Sequence, residues 1–456
     1  MRDISFYILS LKINGIKNIE KEVVFDFYKH DLSGKIDTKK YNVKAIYGEN
    51  GVGKSGIICA VNILRNIALI PNYLNQMINK EVISEEINKR TNMLSIEIDF
   101  LCKVKKQNFI YNYGMSVRKI NELLEIDCEY LKERKKSRKE YKDLFIVNKG
   151  KIEYIDLDVD AKEKVEELTR NILVSNSLIS NVYFNSSIFN LITKEKNEKN
   201  AKVGLGLIAT NSLFNSIEIY IDSNDSHEDY ILKSYLSENR KAIEKYAEKA
   251  INPLFTIALT DTSSLYNQIS INKNVMKKKE YKVFEEKINN LSNFIKVFKP
   301  DLNTIIIDRK VDKDLYICHL VMDYHDYKIN AEYESNGIKK LIKLFNAFSL
   351  LSNGGIAFID EMDANIHDVY LCKLIEYFAN YSEGQLCFTT HNLSPMYLLS
   401  KRKKGIDVLS RDLTVLPIVS NGNRSAIKYY QNGMLDKSPF NIEPFDFLSI
   451  FRKGNI

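Results

Sequence analysis

A glycine-rich stretch near the start of the chain has the residue types that bind phosphate groups. Residues 48–55 read GENGVGKS, which fits the pattern GxxxxGK[ST], and they lie between the apolar stretch VKAIY and the helix-like stretch IICAVNIL. The glycines let backbone N–H groups crowd around phosphate oxygens, Lys54 neutralises the β and γ oxygens, and the Ser55 hydroxyl binds Mg²⁺. The sequence therefore predicts a strand, a helix and, between them, a loop that binds ATP and Mg²⁺ through Gly48, Glu49, Asn50, Gly51, Val52, Gly53, Lys54 and Ser55.

A second apolar stretch, far along the chain, ends in two adjacent carboxylates. Residues 356–361 read IAFIDE. Adjacent residues of a strand point to opposite faces, so Asp360 can hold the magnesium shell while Glu361 faces an attacking water as general base. By itself the pattern is also typical of a buried strand that ends in a polar turn. Together with the phosphate loop, it predicts hydrolysis of Mg-ATP.

A histidine follows a third apolar stretch, LCFTTHN at residues 386–392. At the end of a strand that comes after the carboxylates, His391 is placed to hydrogen-bond the γ-phosphate or to position the water. A purely structural histidine is the alternative.

Four motifs in this order and spacing, GENGVGKS, ESNGIKKL, FIDEMDANIH and FTTHN, resemble the SMC/RecF-like branch of ABC-type ATPases. The resemblance makes ESNG a signature motif at a helix N-terminus. It implies that Ser335 and Gly337, with Asn336 between them, complete the nucleotide site of a second copy of the chain. Judged alone, ESNG would be only a helix cap. The resemblance thus implies a homodimer, or a dimer-based homo-oligomer, with composite ATP sites.

Some positions depart from the usual pattern of these ATPases. Gly56 stands where Thr or Ser is usual, and the signature lacks the paired glycines of transporters. The stretch MDANIH ends in His367, where transporter and SMC heads usually have Asp, and this variant resembles the OLD-like, abortive-infection ATPases of bacterial antiphage defence systems. By similarity, Lys17 and Asn18 are candidates for contacts near the base or the α-phosphate, and a plain strand edge explains them equally well.

The remaining elements must position these groups. Residues 4–47 alternate like strands, and SIEIDFLCKV, QNFIYNYGM and KIEYIDL within residues 93–157 predict an antiparallel sheet. Residues 160–300 have a mainly helical pattern, which includes a helix over 284–298 that Pro300 ends. With the resemblance, we predict an α/β fold: a P-loop ABC-type ATPase head, with a mixed sheet and an antiparallel β subdomain, and an inserted, mainly helical lobe. The predicted divisions are residues 1–160, 161–330 and 331–456.

Composition and charge bear on location and partners. No stretch approaches the roughly 18 apolar residues of a membrane span, and the N-terminus lacks the pattern of a signal peptide, so a cytoplasmic protein without a membrane partner is expected. The net charge is +7, with basic clusters at residues 132–142, 277–279 and 401–404. Such clusters either follow a nucleic-acid backbone or lie on solvated loops, so the charge leaves a nucleic-acid partner open.

Three functions remain after these observations. The resemblance implies an ATPase subunit of an antiphage defence system, similar to those of Septu and PARIS, in which an ATP-dependent dimer controls a separate effector encoded beside it, such as a nuclease or a toxin. A nuclease is expected as a partner because 65 residues follow His391, too few for a Toprim domain. The apolar residues 437–451 either dock on a partner or pack on the chain's own head. The alternatives are a RecF/SMC-like ATPase of DNA repair or chromosome maintenance, and a sensor scaffold that binds ATP with little turnover.

Overall fold

The computed structural model describes residues 4–105, 107–136, 140–194, 198–221, 269–418 and residue 430. These residues form ten α-helices, several short 3₁₀ helices that include Lys278–Glu280, and seventeen strands in three sheets. The helices are α1 (Lys54–Leu69), α2 (Met77–Glu86), α3 (Val159–Thr169), α4 (Leu178–Phe184), α5 (Ser186–Lys194), α6 (Glu198–Asn215), α7 (Tyr281–Phe298), α8 (Asn336–Ser352), α9 (Asp368–Tyr381) and α10 (Ser394–Leu399). The strands are β1 (Ile4–Asn14), β2 (Val23–Asp26), β3 (Val43–Gly48), β4 (Met93–Val104), β5 (Gln107–Ile120), β6 (Leu123–Arg134), β7 (Lys142–Asn148), β8 (Lys151–Ile155), β9 (Ile217–Tyr220), β10 (Asn274–Lys277), β11 (Leu302–Asp312), β12 (Leu315–Tyr324), β13 (Lys328–Asn330), β14 (Ile356–Ile359), β15 (Gln385–Thr389), β16 (Ile406–Leu409) and β17 (Val415–Pro417).

The central sheet has six strands in the order β17-β16-β3-β15-β14-β9, and only its edge strand β17 runs antiparallel. Every residue of β3, β14, β15 and β16 is buried, which explains their continuous apolar stretches, since a parallel sheet is covered on both faces. The carboxyl ends of β3, β15 and β14 therefore meet at one edge of the sheet.

Two hydrophobic cores lie on opposite faces of this sheet. Ile46 of β3 packs in one core, with the antiparallel sheet and helices α1 and α3 to α6. Its neighbours Ala45 and Tyr47 pack in the other core, with helices α7 to α10 and strands β11 and β12. This alternation along one strand follows from the two-residue period of side chains.

The second sheet is antiparallel, with the strand order β2-β1-β4-β5-β6-β7-β8. Gln385, at the start of β15, joins it to the central sheet, because its buried amide accepts a hydrogen bond from the Ile8 N–H (2.8 Å) and donates one to the Ile8 carbonyl (3.0 Å). These contacts lie at a bulge, where the register of β1 on β4 shifts after Ile8. The antiparallel sheet expected from residues 93–157 is confirmed.

The third sheet pairs β10, β12 and β11, with β13 on β12, and α7 packs against β11. The expected helix over 284–298 is confirmed, but it begins earlier, at Tyr281. The preceding part of the chain holds α3 to α6, yet its strand β9 belongs to the central sheet.

The predicted fold class is confirmed: an α/β protein with a mixed central sheet beside an antiparallel one. The divisions at residues 160 and 330 remain predictions. Within the ranges that the structure describes, no helix combines the length and apolar character needed to cross a bilayer.

Candidate active site

The predicted phosphate loop connects the end of β3 to the start of α1. Gly51 and Gly53 have φ angles of 79° and 113°, which L-residues with side chains rarely adopt. A Cβ atom on Gly53 would also lie 2.8 Å from Ile19 Cγ1. Because Gly53 is the N-cap of α1 and has no side chain, the first-turn N–H groups receive no capping bond from it and face the site where a phosphate would bind.

Lys54 folds back over this loop. Its Nζ donates hydrogen bonds to the carbonyl oxygens of Gly48 (2.9 Å) and Glu49 (2.8 Å), and the residue is only 6% exposed. Burial lowers the pKa of Lys54, while the nearby carboxylates of Asp360 and Glu361 act in the opposite direction. The structure therefore brings the loop lysine and the two predicted carboxylates into one electrostatic cluster.

The two carboxylates at the end of β14 have unlike surroundings. Asp360 is 6% exposed, whereas Glu361 is exposed and has a φ angle of 46°. Thr389, at the end of β15, holds both residues: its Oγ1 donates to Asp360 Oδ1 (2.6 Å) and accepts from the Glu361 N–H (2.8 Å). The placement is consistent with different roles for the two acids, and those roles remain predictions. Sequence reasoning missed Thr389, although its position at the end of the strand before His391 is a signal.

A second residue that sequence reasoning missed lies on α8. Lys340 is buried, its Nζ donates to the Glu361 carbonyl oxygen (2.5 Å), and it lies 5.5 Å from the centre of the Tyr220 ring. Gly337 packs against the same turn, because a Cβ there would be 2.7 Å from the Asn365 carbonyl oxygen. The first turns of α8 are thus attached to the segment that carries Glu361. A lysine among the apolar positions of an amphipathic helix was the available signal.

His391 is exposed just beyond the end of β15. Partial burial and the charge of Lys54 lower the pKa of His391, while the nearby carboxylates of Asp363 and Glu361 raise it. The next residue anchors this segment, since Asn392 donates to Asp368 Oδ1 (2.6 Å) and its carbonyl accepts from the Tyr47 hydroxyl (3.0 Å). The predicted histidine therefore belongs to the same cluster as Lys54 and the carboxylates.

The predicted signature residues lie at the start of α8. Ser335 is the N-cap, and its Oγ accepts from the Ile338 N–H (3.4 Å). The Glu334 carboxylate accepts from the Ser335 N–H (3.1 Å) and from the Tyr324 hydroxyl (2.6 Å), which fixes the approach to the helix. Ser335 and Asn336 are exposed. Their contact with nucleotide in a second copy of the chain remains a prediction.

Three other residues noted in the sequence have identifiable contacts. Asn18 donates to the Gly51 carbonyl oxygen of the phosphate loop (2.5 Å), and Lys17 forms an ion pair with Glu86 (3.2 Å). His367 caps α9, because its Nδ1 accepts from the N–H two residues later (3.3 Å). Asn18 is therefore next to the predicted nucleotide site.

Magnesium would require ligands from the nucleotide as well as from the chain. In the described ranges, no group of three or more His, Cys, Asp or Glu side chains could hold a metal ion. Asp360 interacts electrostatically with Lys54, the residue before Ser55, so Asp360 and Ser55 are candidate ligands for an ion that takes its other ligands from phosphates and water, as Mg²⁺ commonly does. Asp363, whose buried Oδ1 has no hydrogen-bond partner among the described residues, also interacts electrostatically with Lys54 and His391.

In two of the three basic clusters, basic side chains form ion pairs or hydrogen bonds with other parts of the chain. Arg402 donates to the Ala379 carbonyl (2.7 Å), and Lys404 pairs with Asp26 (3.1 Å). Lys142 pairs with Asp156 (3.2 Å), whereas residues 137–139 of its cluster and the apolar run 437–451 lie outside the described residues. Nucleic-acid binding remains a prediction.

The chain matches a known protein family over a range of residues that includes this site. The family model described as "AAA domain, putative AbiEii toxin, Type IV TA system" matches residues 44–394, from β3 to the start of α10. A solved structure of "the recombination mediator protein RecF-ATPrS in RecFOR pathway" is similar with a TM-score of 0.36 and 13% identity, covering 91% of this chain and 99% of that chain. No curated protein matches the sequence.

Proposed function

Because the chain belongs to this family of AAA domains, we propose that it binds Mg-ATP at residues 48–55 and hydrolyses it. One observation carries the proposal: the parallel strands β3, β15 and β14 end at one edge of the central sheet, which brings Lys54, His391 and the acids Asp360 and Glu361 together in one electrostatic cluster. P-loop ATPases use a phosphate loop with its lysine, a carboxylate for Mg²⁺ and a residue that positions or deprotonates the attacking water, and this cluster has a candidate for each part.

Each residue has a distinct role in the proposed reaction. Lys54 leaves the loop carbonyls and neutralises the β and γ oxygens, and Ser55 and Asp360 would hold Mg²⁺, which would supply further positive charge. Glu361 accepts the proton of the attacking water. His391 orients the γ-phosphate or the water.

A second copy of the chain is proposed to complete each site. The exposure of Ser335 and Asn336 at the start of α8 supports this step, since a helix N-terminus favours an anion. Within each chain, Lys340 donates to the Glu361 carbonyl and so attaches this helix to the segment that carries the general base. In such a dimer, the signature residues that complete one ATP site are therefore attached to the general base of the other site.

The biological role that we propose is antiphage defence, in which the nucleotide state of a dimer controls a separate effector such as a nuclease or a toxin. The family description supports this role because it names a toxin of a type IV toxin–antitoxin system. Plating phage on cells that carry the gene with its neighbours, with and without Glu361→Gln, tests the role. Equal plaque numbers in parent, Glu361→Gln and empty-vector cells would contradict it.

DNA repair or chromosome maintenance is the second candidate, favoured by the lysines of residues 278–279, which lie on a short helix without buried residues. The discriminating measurement is binding of duplex DNA over a salt series. A steep loss of affinity with salt, together with unchanged phage plating, would favour this candidate.

The enzymatic proposal is tested by measuring ATP hydrolysis and the binding of a fluorescent ATP analogue. Lys54→Ala should lose most of the binding, because the phosphates lose a charge-assisted contact. Glu361→Gln should bind normally but hydrolyse about a hundredfold to ten-thousandfold more slowly, as expected for the loss of a general base. Lys343→Ala, an exposed lysine on α8, is the matched control. A parent chain that binds no ATP would refute the proposal.

A further inference from the structure

An arginine outside every recognised motif lies beside the phosphate loop. Arg411 follows β16, the strand adjacent to β3, and its guanidinium forms an ion pair with the Glu49 carboxylate. Glu49 is the second residue of the loop. The Arg411 side chain is 74% exposed and that of Glu49 is 11% exposed, so water can compete for the arginine more readily than for the carboxylate.

The backbone that carries Arg411 is attached to the start of the loop. The two strands pair through Gly48 and Leu409, and a Cβ on Gly48 would lie 2.6 Å from the Leu409 carbonyl oxygen. The turn that follows is closed by Ser410, whose N–H donates to the Thr414 carbonyl (3.0 Å) and whose Oγ accepts from the Thr414 N–H (3.1 Å). The backbone of Arg411 is therefore held beside the loop, while its guanidinium lies at the surface.

The position of Glu49 creates an electrostatic conflict for a loop that binds polyphosphate. Its carboxylate repels the phosphates and competes with them for a nearby cation. The Arg411 side chain is mostly exposed, so burial does not hold it on the carboxylate and it is free to turn to another anion. A guanidinium binds phosphate oxygens in a bidentate manner, which favours that exchange.

We propose that Arg411 is a nucleotide-binding residue. It pairs with Glu49 in the nucleotide-free chain, and its guanidinium moves to the phosphate oxygens when ATP occupies residues 48–55. Glu49 is then a competitor of the nucleotide for this arginine. This inference rests on the proposed function, because it requires nucleotide in the loop.

The rival explanation is that Arg411 only neutralises Glu49 and never touches nucleotide. Both explanations predict weaker binding for Arg411→Met. They differ for the double variant Glu49→Gln/Arg411→Met, in which no carboxylate remains to be neutralised. Neutralisation alone predicts that the double variant binds like the parent, whereas a direct contact predicts that it stays weak.

The test measures the dissociation constant of a fluorescent ATP analogue with Mg²⁺ for the parent, both single variants and the double variant. We expect Arg411→Met to weaken binding about tenfold, Glu49→Gln to strengthen it about threefold, and the double variant to bind less weakly than Arg411→Met but still clearly more weakly than the parent. Arg411→Lys should bind with intermediate affinity, since it keeps the charge but not the bidentate geometry.

The control is Arg118→Met, which removes an arginine paired with Asp127 (2.5 Å) on the antiparallel sheet. Parent-like affinity of Arg411→Met, or of the double variant, would overturn the inference. If Lys54→Ala still abolishes binding in that case, the proposed function stands and only the role of Arg411 fails. A parent chain that binds no nucleotide would overturn both.

Discussion

Replacing Thr389 by valine tests whether one buried hydroxyl holds the two predicted active-site acids. Thr389 is 0% exposed, and its Oγ1 makes the two hydrogen bonds to Asp360 and to the Glu361 N–H. Valine keeps the branched shape and has a methyl group in place of the hydroxyl. The substitution therefore leaves a carboxylate oxygen and a backbone N–H without their partner, while it opens no large cavity.

The expected cost follows from these two contacts. The hydrogen bond to the charged Asp360 contributes about 1.5 to 3 kcal/mol, and the partly buried bond from the Glu361 N–H contributes about 0.5 to 1.5 kcal/mol. Contacts that share one hydroxyl are not independent, so we expect a total loss of about 2 to 4 kcal/mol in the free energy of unfolding. Thr389→Ser keeps both hydrogen bonds and loses one methyl group, which costs about 1 kcal/mol.

Urea unfolding followed by circular dichroism measures this difference, and ATP hydrolysis provides a second readout. Thr389→Val should unfold at a lower urea concentration than Thr389→Ser, and it should hydrolyse ATP more slowly even at saturating ATP, because Asp360 and Glu361 lose their common anchor. If the valine variant is as stable as the serine variant and equally active, the hydroxyl does not hold the two acids.

Three further predictions follow from single contacts. Gln385→Leu should lower the free energy of unfolding by about 2 to 4 kcal/mol, because the Ile8 N–H and carbonyl lose buried partners, and urea unfolding that matches the parent would contradict this. In an NMR titration His391 should have a pKa below its ordinary value of 6.5, and Lys54→Met should raise that pKa because a repelling charge is gone; a value at or above 6.5 in the parent would refute the lowered pKa. Inactive Lys54→Ala and inactive Ser335→Arg chains should regain some hydrolysis when mixed, because one composite site in the mixed dimer is intact, and the absence of rescue in demonstrated mixed dimers would indicate a site completed within one chain.

The local parts of the site were readable from the sequence. The loop of residues 48–55 needs glycines at Gly51 and Gly53 for its backbone angles and requires a strand before it and a helix after it. All of these are properties of consecutive residues. The acids Asp360 and Glu361 were found for the same reason, since they directly follow an apolar strand. The antiparallel sheet was predicted from short alternating segments.

The residues that support the site were decided by the tertiary structure. Thr389 and Lys340 reach Glu361 across 28 and 21 residues of sequence, and Arg411 reaches Glu49 across 362. Residue type and spacing do not show which distant segments become neighbours, because that depends on strand order. The strand β9 illustrates the same point. It lies in a part of the chain with a mainly helical pattern, and it is a strand in the central sheet because β14 offers its backbone a hydrogen-bonding partner there.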